Sequence, residues 1–219
     1  MRAYYLTETK YALENLRLRR LKIARLDELN DPFELLSAAL PTKTLQQAFI
    51  ATKAQANASS GVICFSKSWR NPVLWAHYGD RHRGVALGFD IADTLVQRMS
   101  YATERLKLGL ERAAGLKALT FQVMQSILTT KYRDWEYEKE VRVICELADI
   151  HPESGLYFAD FKDDVQLREV VLGPRCVASV PEVASAVQLQ DGHVSIVTAR
   201  LAFNTFHVVR NKSIPVHVC

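Results

Sequence analysis

The chain is poor in the residues that mark several protein classes. Only four of its 219 residues are cysteine, and Cys64, Cys145, Cys176 and Cys219 stand alone, with no CxxC pair and no histidine at ligand spacing. A structural zinc site and a disulfide framework are both disfavoured by that scatter. Nine glycines and seven prolines exclude a collagenous or low-complexity chain. The Gly79–Gly84 and Gly84–Gly88 spacings fit neither the Walker loop nor the dinucleotide loop. No apolar run nears the ~20 residues that a membrane-spanning helix needs. The stretch Met1–Glu8 has no apolar segment and no small-residue cleavage site, so it does not read as a secretory signal. These absences point to a cytoplasmic protein with no membrane partner.

What is present is ordinary for a globular chain: 48% hydrophobic and 24% charged residues. There are no repeats and no linker-like stretches, so residues 1–219 read as one domain. Lys+Arg number 28 against 24 Asp+Glu, a net charge of +4. A polyanionic partner is permitted by that balance and not demanded. The denser cluster Arg17, Arg19, Arg20, Lys22, Arg25 reads first as a solvated helix end and outer strand face.

Patterning predicts strands at Tyr4–Leu6, around Leu21 and Ile23, at Gly61–Ser66, Gly84–Phe89, Glu140–Leu147, Glu169–Leu172 and Val194–Phe203. Phe206–Val209 completes a hairpin across Asn204-Thr205. Helices are expected from Thr9, over Phe33–Ala39 with Asp31 as cap and Pro32 as first residue, over Lys43–Ala56, and over Asn71–Tyr78. A long helical stretch is expected from Ile91 to about Leu128, broken near Ser100. Helices crowd the first two thirds while strands run throughout. That argues for an α+β domain with a mixed or antiparallel sheet, which can be split into two sheets.

Three stretches can carry chemistry. In Trp135–Ile144, an extended chain places Glu138, Glu140 and Arg142 on one face, with Val141, Val143 and Cys145 toward the core. A solvated face with an ion pair would be of little energetic value, but Trp135 and Tyr137 lead in and partly desolvate it. In Cys64–Arg70, Ser66 sits just past a buried strand, at a sheet end where ligand sites are common. It lacks the strained elbow of a serine nucleophile. In Asn71–Gly84, Trp75 and Tyr78 are i,i+3 neighbours on a helix and suit stacking on a planar ring, though packing on the sheet is the simpler use for Trp75. His77, Asp80 and His82 lack a further ligand at recognisable spacing, so no metal is expected.

Taken together, these stretches resemble the bacterial domain-of-unknown-function 2971 family. The resemblance runs through Asn30-Asp31-Pro32-Phe33-Glu34, Cys64-Phe65-Ser66, Trp75-x-x-Tyr78 with Gly84, Trp135-x-Tyr137-Glu138-x-Glu140-x-Arg142, and Val170-Val171-Leu172-Gly173. More distantly, the order of features is similar to the ADP-ribosyltransferase fold of bacterial toxins. That similarity implies NAD as substrate, with Glu140 on the ribose and Glu138 on the acceptor. It further implies that Ser66 holds the catalytic glutamate and that Tyr78 or Trp75 stacks on nicotinamide. Tyr5 on the early strand and Arg142 would complete the NAD contacts. Two departures stand out: the early strand offers Tyr4 and Tyr5, with Arg2 near its end, where such enzymes carry Arg or His, and the serine motif is Phe65-Ser66-Lys67.

The resemblance implies a toxin or phage-defence effector that modifies a macromolecular acceptor (RNA, DNA or protein, nucleic acid slightly favoured by the charge) and is restrained by an antitoxin or other regulatory protein. The alternative is a non-catalytic nucleotide or nucleic-acid binding sensor using the same aromatics and arginines. A nuclease built on Glu138, Glu140 and His77 is weaker, because no Asp joins the pair to hold Mg²⁺.

Overall fold

Alternation of apolar and polar residues sets the strands, and β3 and β8 decide where a site can form. The computed structural model describes residues 1–107, 120–187 and 192–219. In chain order, β1 (Arg2–Thr7) leads to α1 (Thr9–Leu18), β2 (Arg20–Arg25), α2 (Lys43–Ser59), β3 (Ser60–Ser66), α3 (Pro72–His77) and β4 (Val85–Ile91). β5 (Val96–Arg98), β6 (Ser100–Ala102), α4 (Phe121–Leu128) and β7 (Thr130–Tyr132) follow, then a 3-10 turn at Arg133–Glu138. β8 (Glu140–Glu146), β9 (Tyr157–Asp160), β10 (Val165–Leu172), α5 (Val180–Ala186), β11 (Ser195–Leu201), β12 (Val208–Arg210) and β13 (His217–Val218) complete the order. The expected strands and the hairpin between β11 and β12 are present.

Eleven strands form one sheet along the path β12-β11-β10-β4-β1-β3-β2-β9, with β8 on β3, β5 on β8 and β13 on β11; β6 and β7 make a separate pair. The β10–β11 pair is parallel and its neighbour β10–β4 antiparallel, so the sheet is mixed and the class is α+β. β3 is the hub. One edge of it pairs with β8 from Ser60↔Glu146 to Ser66↔Glu140. Its other edge is shared: β1 joins only at Tyr4↔Ser66, and β2 only at Ala24↔Val62 and Arg25↔Gly61. Between those joints Ile63, Cys64 and Phe65 have no strand partner on that side among the described residues. The sheet is parted there.

Both faces of the β3–β8 pair are covered. α1 and α5 pack Leu16 and Val183 with Ile63, Phe65, Val141 and Val143 on one face. On the other, α2, α4 and the loop after β2 bring Phe49, Ile127 and Leu35 against Val62. Glu140 and Arg142 therefore lie on a buried face, 4% and 2% exposed, which corrects the reading of a solvated strand face.

Three local expectations are also corrected. Phe33–Ala39 is not a helix: Asp31 does accept from the Phe33 amide at 2.9 Å, but Leu35 is left-handed at φ 64° and ends the turn. A β-carbon makes that conformation cost about 1–2 kcal/mol, and full burial of the Leu35 side chain offsets it. Ile91–Leu128 is not one long helix. A turn closed by the Leu95 amide on the Ala92 carbonyl sends β5 to the free edge of β8, where Gln97 pairs with Arg142. Residues 108–119 of that stretch lie outside the described residues. Finally, Glu138 is not on the strand; it closes the 3-10 turn, and Lys139 at φ 46° separates it from β8.

Helix starts follow ordinary capping. Asn71 accepts from the Val73 amide at 2.9 Å, with Pro72 in the first turn of α3. After α3 the chain turns back tightly, and a β-carbon on Gly84 would lie 2.2 Å from the Thr7 carbonyl oxygen. Only glycine allows that backbone approach.

Candidate functional site

The parted sheet opens into a cavity of about 240 Å³ lined by residues of β1, β2, β3 and β8, among them Tyr4, Tyr5, Cys64 and Ser66, with Tyr78, Glu34, Lys131, Glu138, Glu140 and Arg142. Its polar wall is a buried ionic cluster. Arg142 grips Glu140 in a fork, Nε to Oε1 at 2.7 Å and Nη2 to Oε2 at 3.2 Å. The same Nη2 reaches Glu34 Oε1 at 2.5 Å, and Nη1 donates to the Leu128 carbonyl at 3.1 Å. Lys131 Nζ donates to Glu138 Oε2 at 2.7 Å and Glu140 Oε2 at 3.1 Å. It also lies 4.7 Å from the centre of the Trp135 ring, so Trp135 shields this wall as its lead-in position suggested.

The two glutamates stand differently. Both oxygens of Glu140 are taken by cations, and the Glu140 amide donates to the Tyr101 hydroxyl at 2.7 Å. Glu138 receives one donor per oxygen: Lys131 on Oε2, and the Tyr78 hydroxyl on Oε1 at 2.5 Å. Asn30 Nδ2 in turn donates to the Tyr78 oxygen at 2.7 Å. A carboxylate oxygen with one donor keeps room for a second, so Glu138 has accepting capacity left. The single Ser66 Oγ–H donates to the Glu138 carbonyl at 2.6 Å, with the Ser68 carbonyl also within reach at 2.9 Å. It steadies the backbone that carries Glu138, and its hydroxyl does not touch the Glu140 carboxylate.

Burial and charge set the ionisation. Burial pushes the Glu140 carboxyl upward, but Arg142 and then Lys131 outweigh it and hold the group below the usual carboxylate range. Burial raises Glu34, and Arg142 and Lys131 fail to bring it back. Burial opposes the charge on Lys131, yet Glu140 and Glu138 keep it firmly protonated. Tyr78 is raised by burial and then by the Glu138 charge, so its hydroxyl stays a donor. Cys64, half-buried on the cavity wall, has its thiol raised by burial first and Glu140 second, which leaves it a neutral packing group.

The expected site residues are thus mostly brought together. Ser66, Tyr78, Glu138, Glu140 and Arg142 line one cavity, and Tyr5 borders it with its ring edge-on to Phe65 at 6.1 Å. Trp75 does not join them. It is fully buried with Ala86, Val171 and Val208, and its Nε1 donates to the Trp69 carbonyl at 2.6 Å, so it cannot stack on a ligand. Lys131, Glu34, Asn30 and Tyr101 were missed as site residues. Their signal was one of balance: two glutamates and one arginine on an apolar-flanked segment need a further cation if they are buried.

Lys131 also borders a second cavity of about 320 Å³, with Phe33, Ser37, Arg105 and Tyr132 on its walls. Phe33 and Tyr132 are exposed there, and the Arg105 guanidinium lies 5.6 Å from the Phe33 ring centre. Among the described residues, no three His, Cys, Asp or Glu side chains are placed to hold a metal ion, and no helix is long and apolar enough to cross a membrane.

No curated protein and no solved structure matches the chain. The model of one family, described as Protein of unknown function (DUF2971), matches residues 74–143, the stretch that carries Tyr78, Lys131, Glu138, Glu140 and Arg142, so the family resemblance holds over that part of the chain.

Proposed function

We propose that the protein is an ADP-ribosyltransferase-like enzyme that breaks the nicotinamide–ribose bond of NAD and passes the ADP-ribosyl group to a macromolecular acceptor. The observation that carries this reading is the carboxylate of Glu138, held by Tyr78 and Lys131 at the wall of a cavity in the parted sheet. A preorganised carboxylate in a water-poor site is suited to a developing positive charge. Nicotinamide leaves neutral, the electron pair of the C1′–N bond leaving with it, and the cation left on the ribose is captured by an acceptor oxygen or nitrogen that gives up its proton. In this reading Glu138, and not Glu140, takes the ribose contact, because Glu140 is committed to Arg142 and Lys131. Glu140 then positions Lys131, and Ser66 positions Glu138.

The second cavity beyond Lys131 favours a nucleic-acid acceptor, since exposed Phe33 and Tyr132 beside Arg105 suit a stacked base. We place the enzyme in the cytoplasm, as a toxin or phage-defence effector under the control of a partner protein. One observation favours the sensor reading instead: the fork of Arg142 on Glu140 occupies the strand glutamate in a way that suits binding without turnover. The deciding experiment is mass-spectrometric detection of nicotinamide released from NAD by the wild-type protein, with total RNA and with total protein as acceptors. Release dependent on one acceptor supports the enzyme; NAD binding without release in either mixture supports the sensor.

A further inference from the structure

We propose that Glu34 is the residue through which the cavity selects a positively charged ring. The loop after β2 was read as a helix, and Glu34 as part of it; the left-handed turn at Leu35 instead carries the Glu34 side chain inward to the cavity wall, where it is 5% exposed. Its Oε1 is held by Arg142 at 2.5 Å. Its Oε2 has no hydrogen-bond partner, and the nearest cation, Lys131, stands 4.0 Å away. A buried carboxylate oxygen without a donor is an unmet demand.

The cluster's charge makes the same point. Among the described residues, Glu34, Glu138 and Glu140 pair only with Lys131 and Arg142, and Lys131 is already committed to the other two glutamates. One negative charge is left over in a buried wall. Burying that charge is what pushes the Glu34 carboxyl upward. A ligand cation would balance it, and Tyr4, Tyr5 and Tyr78 line the same cavity, where an aromatic ring adds attraction for a cation. The groups that face Glu34 are Arg142 and Glu140 from β8, Lys131 from β7 and Cys64 from β3, while Lys53 from α2 donates only to its main-chain carbonyl at 3.4 Å. This inference rests on the reading of the cavity as the NAD site, whose nicotinamide ring is a pyridinium cation, but its test does not require NAD.

The test is calorimetric titration with 1-methylnicotinamide, a cation, and nicotinamide, its neutral counterpart. Wild type is expected to prefer the cation by about tenfold or more, as one favourable charge contact gives. Glu34→Gln keeps the acceptor for Arg142 and removes the charge, so the two affinities should converge. Equal affinities in wild type, binding of neither ring, or an unchanged preference in Glu34→Gln would overturn the proposal. Should Glu34→Gln melt too low to titrate, wild type carries the test between about pH 8 and about pH 5. The cation preference must then fall toward acid as Glu34 takes up its proton, and a preference independent of pH overturns the idea. A failure of the NAD reading looks different: the preference is intact and no nicotinamide is released.

Discussion

Arg142 gives the sharpest stability test of the buried cluster. Replacing it by methionine keeps most of the side-chain volume and removes the fork on Glu140 and the contact to Glu34. Both carboxylates then lie in a buried wall with Lys131 as the only nearby cation among the described residues. Breaking one side of a buried ion pair costs about 3–5 kcal/mol. For a chain of this size each kcal/mol moves Tm by about 2–4 °C, so a fall of about 6–20 °C is expected. The pH dependence has a definite sign. In wild type Glu140 is held below the usual carboxylate range, since Arg142 and Lys131 outweigh burial. Its contribution is therefore full at neutral pH and lost as the pH falls through that low value. In Arg142→Met burial prevails and the carboxyl rises, so protonation stabilises the folded variant. The gap between the proteins should shrink from neutral to mildly acid pH in parallel urea titrations. A loss under about 1 kcal/mol, or a gap indifferent to pH, is what a solvated surface pair gives and would refute the reasoning.

Other positions separate binding from folding. Tyr78→Phe removes the hydroxyl that links Asn30 to Glu138. At about 1.5–3 kcal/mol for a hydrogen bond to a charged group, it should lower Tm by about 3–12 °C and slow nicotinamide release in the folded variant. Ser66→Ala leaves the Glu138 carbonyl without its donor and should cost about 1–3 kcal/mol in urea unfolding. Gly84→Ala forces a β-carbon onto the Thr7 carbonyl oxygen and should cost more than about 4 kcal/mol, visible as loss of soluble folded protein.

Much of the frame was legible because strands announce themselves locally. The apolar run of β3 and the alternation of β8 marked them as strands, and Asn71-Pro72 announced the start of α3. What failed was decided at a distance. The residues around Val96 carry helix-like spacing, yet the open edge of β8 takes them as a strand. The solvated appearance of Glu140 and Arg142 vanished because α4 and the loop after β2 cover that face, and nothing near β8 in sequence says so. Lys131 follows two threonines after α4 with no motif to mark it, and its importance is visible only once Glu138 and Glu140 converge on it. Glu34 was quoted within a family motif but hidden by an expected helix. Trp75 had the right spacing for stacking but is buried by packing against Ala86, Val171 and Val197 and does not line the cavity.

The most direct test of the account compares single-turnover nicotinamide release from NAD in wild type, Glu138→Gln and Glu140→Gln, after thermal melts establish which variants are folded. The account predicts that Glu138→Gln stays folded, still binds NAD, and releases nicotinamide about 10²–10³-fold more slowly, the usual cost of one preorganised charge-stabilising group. Glu140→Gln should instead show lowered stability, because Arg142 and Lys131 lose their shared partner. Release at the wild-type rate from Glu138→Gln would contradict the assignment of Glu138 to the ribose.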